Sequence, residues 1–172
     1  EDAFGFTEMR IVSFADLYAG KLVAALDRQH PRDLFDARAL LHAEGIEEEL
    51  RRAFLVYLIS HDRPMAEVLS ARPKDITMEF ERGFVGMTRE PVSLTDLLAT
   101  REALVSQIVG AMPDTHRQFL LAFERGEPDW SAVSLDAAAG LPAVRWRQHN
   151  LDGLSVEKRA TLVAQLEAVL AE

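Results

Sequence analysis

The chain has 172 residues, with 19 Lys and Arg against 28 Asp and Glu, and 48% of them are hydrophobic, which is typical of a folded domain. A formal net charge of −9 argues against a surface that is basic throughout, so a nucleic acid would need a local basic patch. The absence of cysteine excludes disulfides and thiolate zinc sites, and no run of 18 apolar residues could span a bilayer. We therefore expect a cytoplasmic protein with no membrane partner.

The first predicted elements are two helices joined by a short turn. Residues 9–12 form the only run with extended character, so we expect at most one short strand there. Ser13 begins a Ser-x-x-Asp cap, after which apolar residues recur at three- and four-residue steps and predict a helix. Pro31 suits the first turn of the next helix, and Gly45 ends that helix.

The rest of the chain is also predicted to be helical, with poorer boundaries where proline and glycine interrupt the pattern. We expect helices over 46–60, near 65–71, near 75–82, from Ser93 to about Gly110 and over 115–125.

The last 46 residues are predicted to consist of a less regular segment followed by a final helix. Residues 127–154 carry a looser pattern, in which Trp130, Leu141 and Trp146 are the expected packing anchors. Ser155 caps the final helix, and its expected core face consists of Val156, Ala160, Val163, Leu166 and Leu170. The predicted fold class is therefore all-α, a bundle of six to eight helices.

The densest polar cluster surrounds the turn between the first two helices and consists of Lys21, Arg28, Arg32, Asp33 and Asp36. Lys21 and Arg28 share a helix face at roughly 10 Å, a distance that a polyphosphate can bridge. The planar guanidinium of Arg32 can hold a phosphate through two hydrogen bonds. Asp33 and Asp36 also share a face, where either could orient a cation, accept a proton or hold one of the arginines.

A purely structural interpretation of this cluster stays open. Acidic residues in the first turn of a helix are favoured by the helix dipole alone. Arg32 and Asp36 are four residues apart, the spacing of a routine surface ion pair.

Other common site patterns are absent from the sequence. The five histidines stand singly, which argues against a zinc site, and the glycine-rich loops of P-loop and Rossmann proteins do not occur. There is no Asp-x-Asp, so we expect no metal ligands in this chain, and two-metal chemistry would need carboxylates from outside it. Trp130, Trp146 and Arg147 could stack on nucleic-acid bases, although packing is the more common use of tryptophan.

At the polar cluster the sequence resembles the AbiEii/AbiGii toxin family of nucleotidyltransferases, the toxin halves of bacterial toxin–antitoxin and phage-abortive-infection systems. The most specific segment is 13–41, where 17–22 and 31–36 resemble the family signature of a lysine followed by Pro-Arg-Asp-x-(Tyr/Phe)-Asp. Two further stretches, 84–93 and 125–151, resemble the tails of family members.

The resemblance implies that residues 1–172 are the C-terminal helical domain of a longer enzyme. In this interpretation 1–12 are a remnant of the catalytic domain or a linker to it, 13–60 are the motif-bearing helices and 61–172 are the remaining bundle. The Gly-Ser loop and the Asp-x-Asp carboxylates that bind Mg²⁺ in the family's catalytic domain are missing from this sequence.

The resemblance also implies a reaction and roles for individual residues. The full-length protein would bind Mg²⁺ and an NTP and transfer an NMP to a hydroxyl of tRNA or protein, whereas this chain alone would be inactive and bind neither tightly. Lys21 matches the family's phosphate-contacting lysine and Asp33 its helical acid, a base or orienting group. With Arg28 and Arg32, whose phosphate contacts are expected from their spacing and geometry, Lys21 would bind the NTP.

A cognate antitoxin is the partner expected of such a toxin. A different class also stays open, a non-enzymatic helical module that binds an antitoxin or another protein.

Overall fold

Local capping defines where the first two helices begin. The computed structural model describes residues 8–171, and its first helix, α1 (Phe14–Asp27), starts where the Ser13 hydroxyl accepts a hydrogen bond from the Asp16 backbone N–H at 3.1 Å. In α2 (Pro31–Ala43) proline occupies the first turn, and the His30 side chain accepts from the Arg32 N–H. Both predicted helix starts are confirmed.

Seven further helices follow along the chain, and within residues 8–171 there is no strand, which confirms the all-α prediction. Residues 9–12, where at most one short strand was expected, lie outside any helix and are exposed. A strand needs a neighbouring strand to pair its backbone groups, and residues 8–171 provide none. The remaining bounds are α3 (Glu48–Ile59), α4 (Met65–Ser70), α5 (Thr77–Gly83), α6 (Leu94–Val105) with a π-helical turn at Ser106–Gly110, α7 (Asp114–Arg125), α8 (Pro142–Asp152) and α9 (Val156–Leu170), with short 3₁₀ turns at Ser131–Val133 and Asp136–Gly140.

The first helix lies at the centre of the bundle. It packs against α2, α3, α4 and α6, while α2 also packs on α6 and α9 lies against α4 and α7. Gly20 lets α1 approach α3 closely, because a Cβ at this position would lie 3.1 Å from Cε1 of the Tyr57 ring. This close contact fixes the backbone next to Lys21.

Two expectations for residues 127–154 are wrong. Residues 142–152 form a regular helix, α8, whose buried residues are Val144 and Leu151. Trp146 is 65% exposed and Leu141 is 43% exposed, so neither anchors the bundle. Trp146 lies two positions after Val144, a rotation of about 200° that turns it to the opposite side of the helix.

Trp130 is a packing anchor as expected. Its indole ring is partly buried and meets the rings of Phe119 and Phe123 edge-on, with centroid distances of 5.1 and 6.0 Å.

The predicted core face of α9 is correct only in its second half. Leu166 and Leu170 are buried, but Val156 is 82% exposed, and the partly buried residues that join the core are Leu162 and Val169. The helix carries two overlapping apolar stripes, and the bundle covers the one that includes Leu162. No helix within residues 8–171 has the length and apolar character needed to cross a membrane.

Candidate functional site

Two ion pairs join α1 to α2 beside their connecting turn. The Lys21 ammonium donates to Asp36 Oδ2 at 2.5 Å, and Arg28 Nη2 donates to Asp33 Oδ1 at 2.9 Å. The residues pair in reversed order because α2 doubles back along α1 after the short turn. The structure thus brings four of the five residues of the predicted cluster into two adjacent contacts.

The two pairs differ in their exposure to solvent. The side chains of Lys21 and Asp36 are 36% and 39% exposed, and that of Arg28 is 64% exposed, whereas that of Asp33 is only 15% exposed. The second oxygen of Asp33, Oδ2, is buried and has no hydrogen-bond partner among residues 8–171. A buried carboxylate oxygen without a partner is uncommon and calls for an explanation.

Arg32 does not form the surface ion pair that its spacing suggested. Asp36 contacts Lys21, and Arg32 Nη2 instead donates to the Gly83 carbonyl oxygen at 3.3 Å. The Arg32 side chain is exposed and crosses from the start of α2 to the end of α5. Its charge is therefore available to a ligand in the space between these elements.

That space is an open cavity of about 460 Å³, which we call the turn cavity. Three residues of the predicted cluster, Arg28, Arg32 and Asp33, line this cavity, and Lys21 is not among its lining residues. The remaining lining residues are His30, Lys74, Asp75, Ile76 and Glu79.

Lys74 is a residue that the sequence analysis missed. It follows Pro73 in a segment between α4 and α5, and its contact with the turn joins residues 45 positions apart in the sequence. No local spacing links Lys74 to the α1–α2 turn, so only a comparison of related sequences could have indicated this contact.

The turn cavity also contains carboxylates, and one of them is engaged locally. Asp75 Oδ1 accepts hydrogen bonds from the Thr77 N–H at 3.0 Å and the Thr77 hydroxyl at 2.7 Å, and these bonds lower the pKa of Asp75. Asp75 is therefore used to start α5. Glu79 is exposed on the same side.

The described part of the chain does not form a complete metal site. In residues 8–171 no group of three or more His, Asp and Glu side chains is arranged so that it could hold a metal ion.

Comparison with known proteins assigns the chain to a family. The family model described as "Nucleotidyl transferase AbiEii toxin, Type IV TA system" matches residues 1–148, which include α1, α2, the turn cavity and most of α8 but not α9. No curated protein and no solved structure matches the chain significantly. Since the match covers well over half of the sequence and agrees with the resemblance of its motifs, the chain belongs to the AbiEii nucleotidyl transferase toxin family.

Proposed function

We propose that this chain is the helical part of a nucleotidyltransferase toxin that moves an NMP from an NTP to a hydroxyl of tRNA or protein. The observation that carries the proposal is the state of Asp33. One of its carboxylate oxygens is held by Arg28, and the other is buried, has no partner in residues 8–171 and belongs to a side chain that lines a cavity with two arginines. Arg28 thus holds the Asp33 side chain at the cavity lining, where its carboxylate can accept a hydrogen bond from a hydroxyl once the covered oxygen is exposed.

The reaction sets the demands on these residues. The acceptor oxygen forms a bond to the α-phosphorus, the bond from that phosphorus to the bridging oxygen breaks, and pyrophosphate leaves with the electron pair. Negative charge builds on the phosphates, and fixed cations lower the barrier by stabilising it. Arg28 and Arg32 supply such charge at the turn cavity, and the Asp33 carboxylate accepts the hydroxyl proton or orients the hydroxyl.

Lys21 acts from the neighbouring position on α1. It lies two helical turns before Arg28, roughly 10 Å away, so an extended triphosphate can contact both. Its pairing with Asp36 holds the ammonium near the α2 side of α1 in the absence of a nucleotide. The Mg²⁺ expected for such an enzyme would be bound by carboxylates outside this chain, so we expect no transfer by residues 1–172 alone.

The experiment is a transfer assay with the full-length toxin, labelled NTPs, and total tRNA or total protein as acceptors. We expect Lys21→Ala and Asp33→Asn each to lower the transfer rate by about 10²–10³, the usual effect of losing one preorganised electrostatic group. The matched controls are Lys158→Ala and Asp62→Asn, which change exposed residues elsewhere. Folded Lys21 and Asp33 variants that transfer at the wild-type rate would refute the catalytic assignment.

Family membership also implies a cognate antitoxin. If the wild-type toxin transferred no nucleotide to either acceptor, the non-enzymatic interpretation of the helical bundle would be favoured.

A further inference from the structure

The turn between α1 and α2 is held by a buried amide. Gln29 is 1% exposed and adopts a left-handed backbone conformation, with φ +55°. Its Nε2 donates to the carbonyl oxygens of Leu26 at 3.4 Å and Arg72 at 2.9 Å. Its Oε1 accepts from the Lys74 N–H at 3.1 Å and from Arg101 Nη1 at 3.3 Å. The amide thus uses both of its N–H donors and both acceptor positions.

These bonds fix the backbone of Lys74 on both sides. The Gln29 side chain accepts from the Lys74 N–H, and Arg101 Nη1 donates to the Lys74 carbonyl oxygen at 3.2 Å. Arg101 is itself only 8% exposed. The Lys74 ammonium reaches back across the turn and donates to the Asp27 carbonyl oxygen at 2.6 Å. The position of Lys74 relative to the α1–α2 turn is therefore set by Gln29 and Arg101.

Two cations that line the turn cavity have no carboxylate partner within residues 8–171. Arg32 and Lys74 both line the cavity, and within residues 8–171 neither forms an ion pair, whereas Arg28 is paired with Asp33. Hydrogen bonds to backbone carbonyls leave the positive charge of both groups in place. A phosphate chain that enters the cavity would neutralise the two charges together.

We propose that Lys74 is a further phosphate-binding residue of the turn cavity and that Gln29 is the positioning residue that holds it in the lining that it shares with Arg32. The ligand class is a linear polyphosphate, such as the triphosphate of an NTP. The inference rests on the proposed function for the identity of the nucleotide but not for the presence of the anion site. The carboxylates of Asp75 and Glu79 also line the cavity, and their negative charges oppose binding and limit its affinity.

The first test measures the affinity of inorganic tripolyphosphate for the 172-residue chain by calorimetry. We expect Lys74→Ala to weaken binding roughly tenfold, because it removes one charge-assisted contact, and Lys74→Arg to keep most of the affinity. Lys158→Ala should bind as the wild type does, and Glu79→Gln should bind more tightly because a like charge is removed. Binding unchanged in Lys74→Ala, or no binding by the wild type, would overturn the proposal.

The second test separates positioning from general stability. If Gln29 acts through Lys74, then Gln29→Ala should weaken binding about as much as Lys74→Ala, and the double variant should be little worse than either single variant. Additive losses in the double variant would show that Gln29 does not act by placing Lys74. If Gln29→Ala does not fold, Arg101→Lys replaces it in the same cycle, since it alters the bond to the Lys74 carbonyl.

Failure of the proposed role of Lys74 can be distinguished from failure of the proposed function. Loss of transfer in Lys21→Ala together with unchanged tripolyphosphate binding in Lys74→Ala would leave the enzyme assignment intact and refute only the role of Lys74. The reverse result would leave an anion site without the proposed reaction.

Discussion

At the residue scale, Glu124 of α7 is a buried acid with an incomplete set of contacts. It is 1% exposed, and its Oε2 has no hydrogen-bond partner in the described part of the chain. Burial raises the pKa of Glu124, and the positive charges of Arg147 and Arg159 oppose this only in part. The neutral form is therefore favoured by the fold.

This shift has a defined consequence for stability. A carboxyl whose pKa is higher in the folded state binds more protons when the protein is folded. Its contribution to the free energy of unfolding therefore falls as pH rises from the ordinary pKa of a glutamate through the raised pKa of Glu124. We expect Glu124→Gln, which removes the titration, to gain in melting temperature relative to the wild type as pH increases from 4 to 8. A gain that shrinks over this range in thermal denaturation would contradict the assignment.

Residue spacing grouped Lys21, Arg28, Asp33 and Asp36 on shared helix faces but did not predict their contacts. The seven-residue step from Lys21 to Arg28 and the three-residue step from Asp33 to Asp36 place each pair on one helix face. Which acid pairs with which cation depends on how α2 packs along α1, and the spacing of residues within each helix does not determine that packing. The contact between Gln29 and Lys74 joins residues 45 positions apart, so no local spacing indicates it.

At the element scale, the two tryptophans offer a direct test of the packing. We expect Trp130→Ala to lower the free energy of unfolding by about 3 kcal/mol, because it removes a large ring packed on Phe119 and Phe123. Trp146→Ala should change it by less than about 1 kcal/mol, since this side chain is 65% exposed. Urea unfolding of both variants measures the difference, and equal losses would show that the arrangement of α8 is wrong.

The density of buried apolar residues distinguishes α1 from α8. Helix α1 buries six residues at regular steps and was predicted, whereas α8 buries only Val144 and Leu151 within eleven residues and was not. The helix α9 was predicted, but the face that it buries was predicted only in part. Val156 and Leu162 belong to different apolar stripes of this helix, and its packing against α4 and α7 decides which stripe is buried. Periodicity therefore predicts a helix more reliably than the face it buries.

At the scale of the whole molecule, the site contrasts with the charge of the chain. The net charge is −9, yet Arg28, Arg32 and Lys74 balance the three carboxylates that share the turn cavity with them. The cavity is thus less negative than the molecule as a whole, which lowers the electrostatic cost of admitting a polyanion. Because its lining is open to solvent, its anion affinity should fall as salt concentration increases.

The central claim is that Lys21 contacts the substrate phosphates rather than serving only as the partner of Asp36. Exchanging the two residues, Lys21→Asp with Asp36→Lys, separates these roles because it keeps the ion pair and moves the positive charge to the other helix. An ion pair that is partly open to solvent contributes about 1 kcal/mol or less, so the single variants should lose little stability and the exchange should recover it.

The most direct measurement is the rate of nucleotide transfer by the full-length toxin that carries this exchange, together with its melting temperature. We expect the melting temperature to return to the wild-type value while the transfer rate stays at least about 10² below it, because a displaced cation no longer meets the developing charge. Recovery of the transfer rate together with the melting temperature would contradict the account and leave Lys21 with a structural role only.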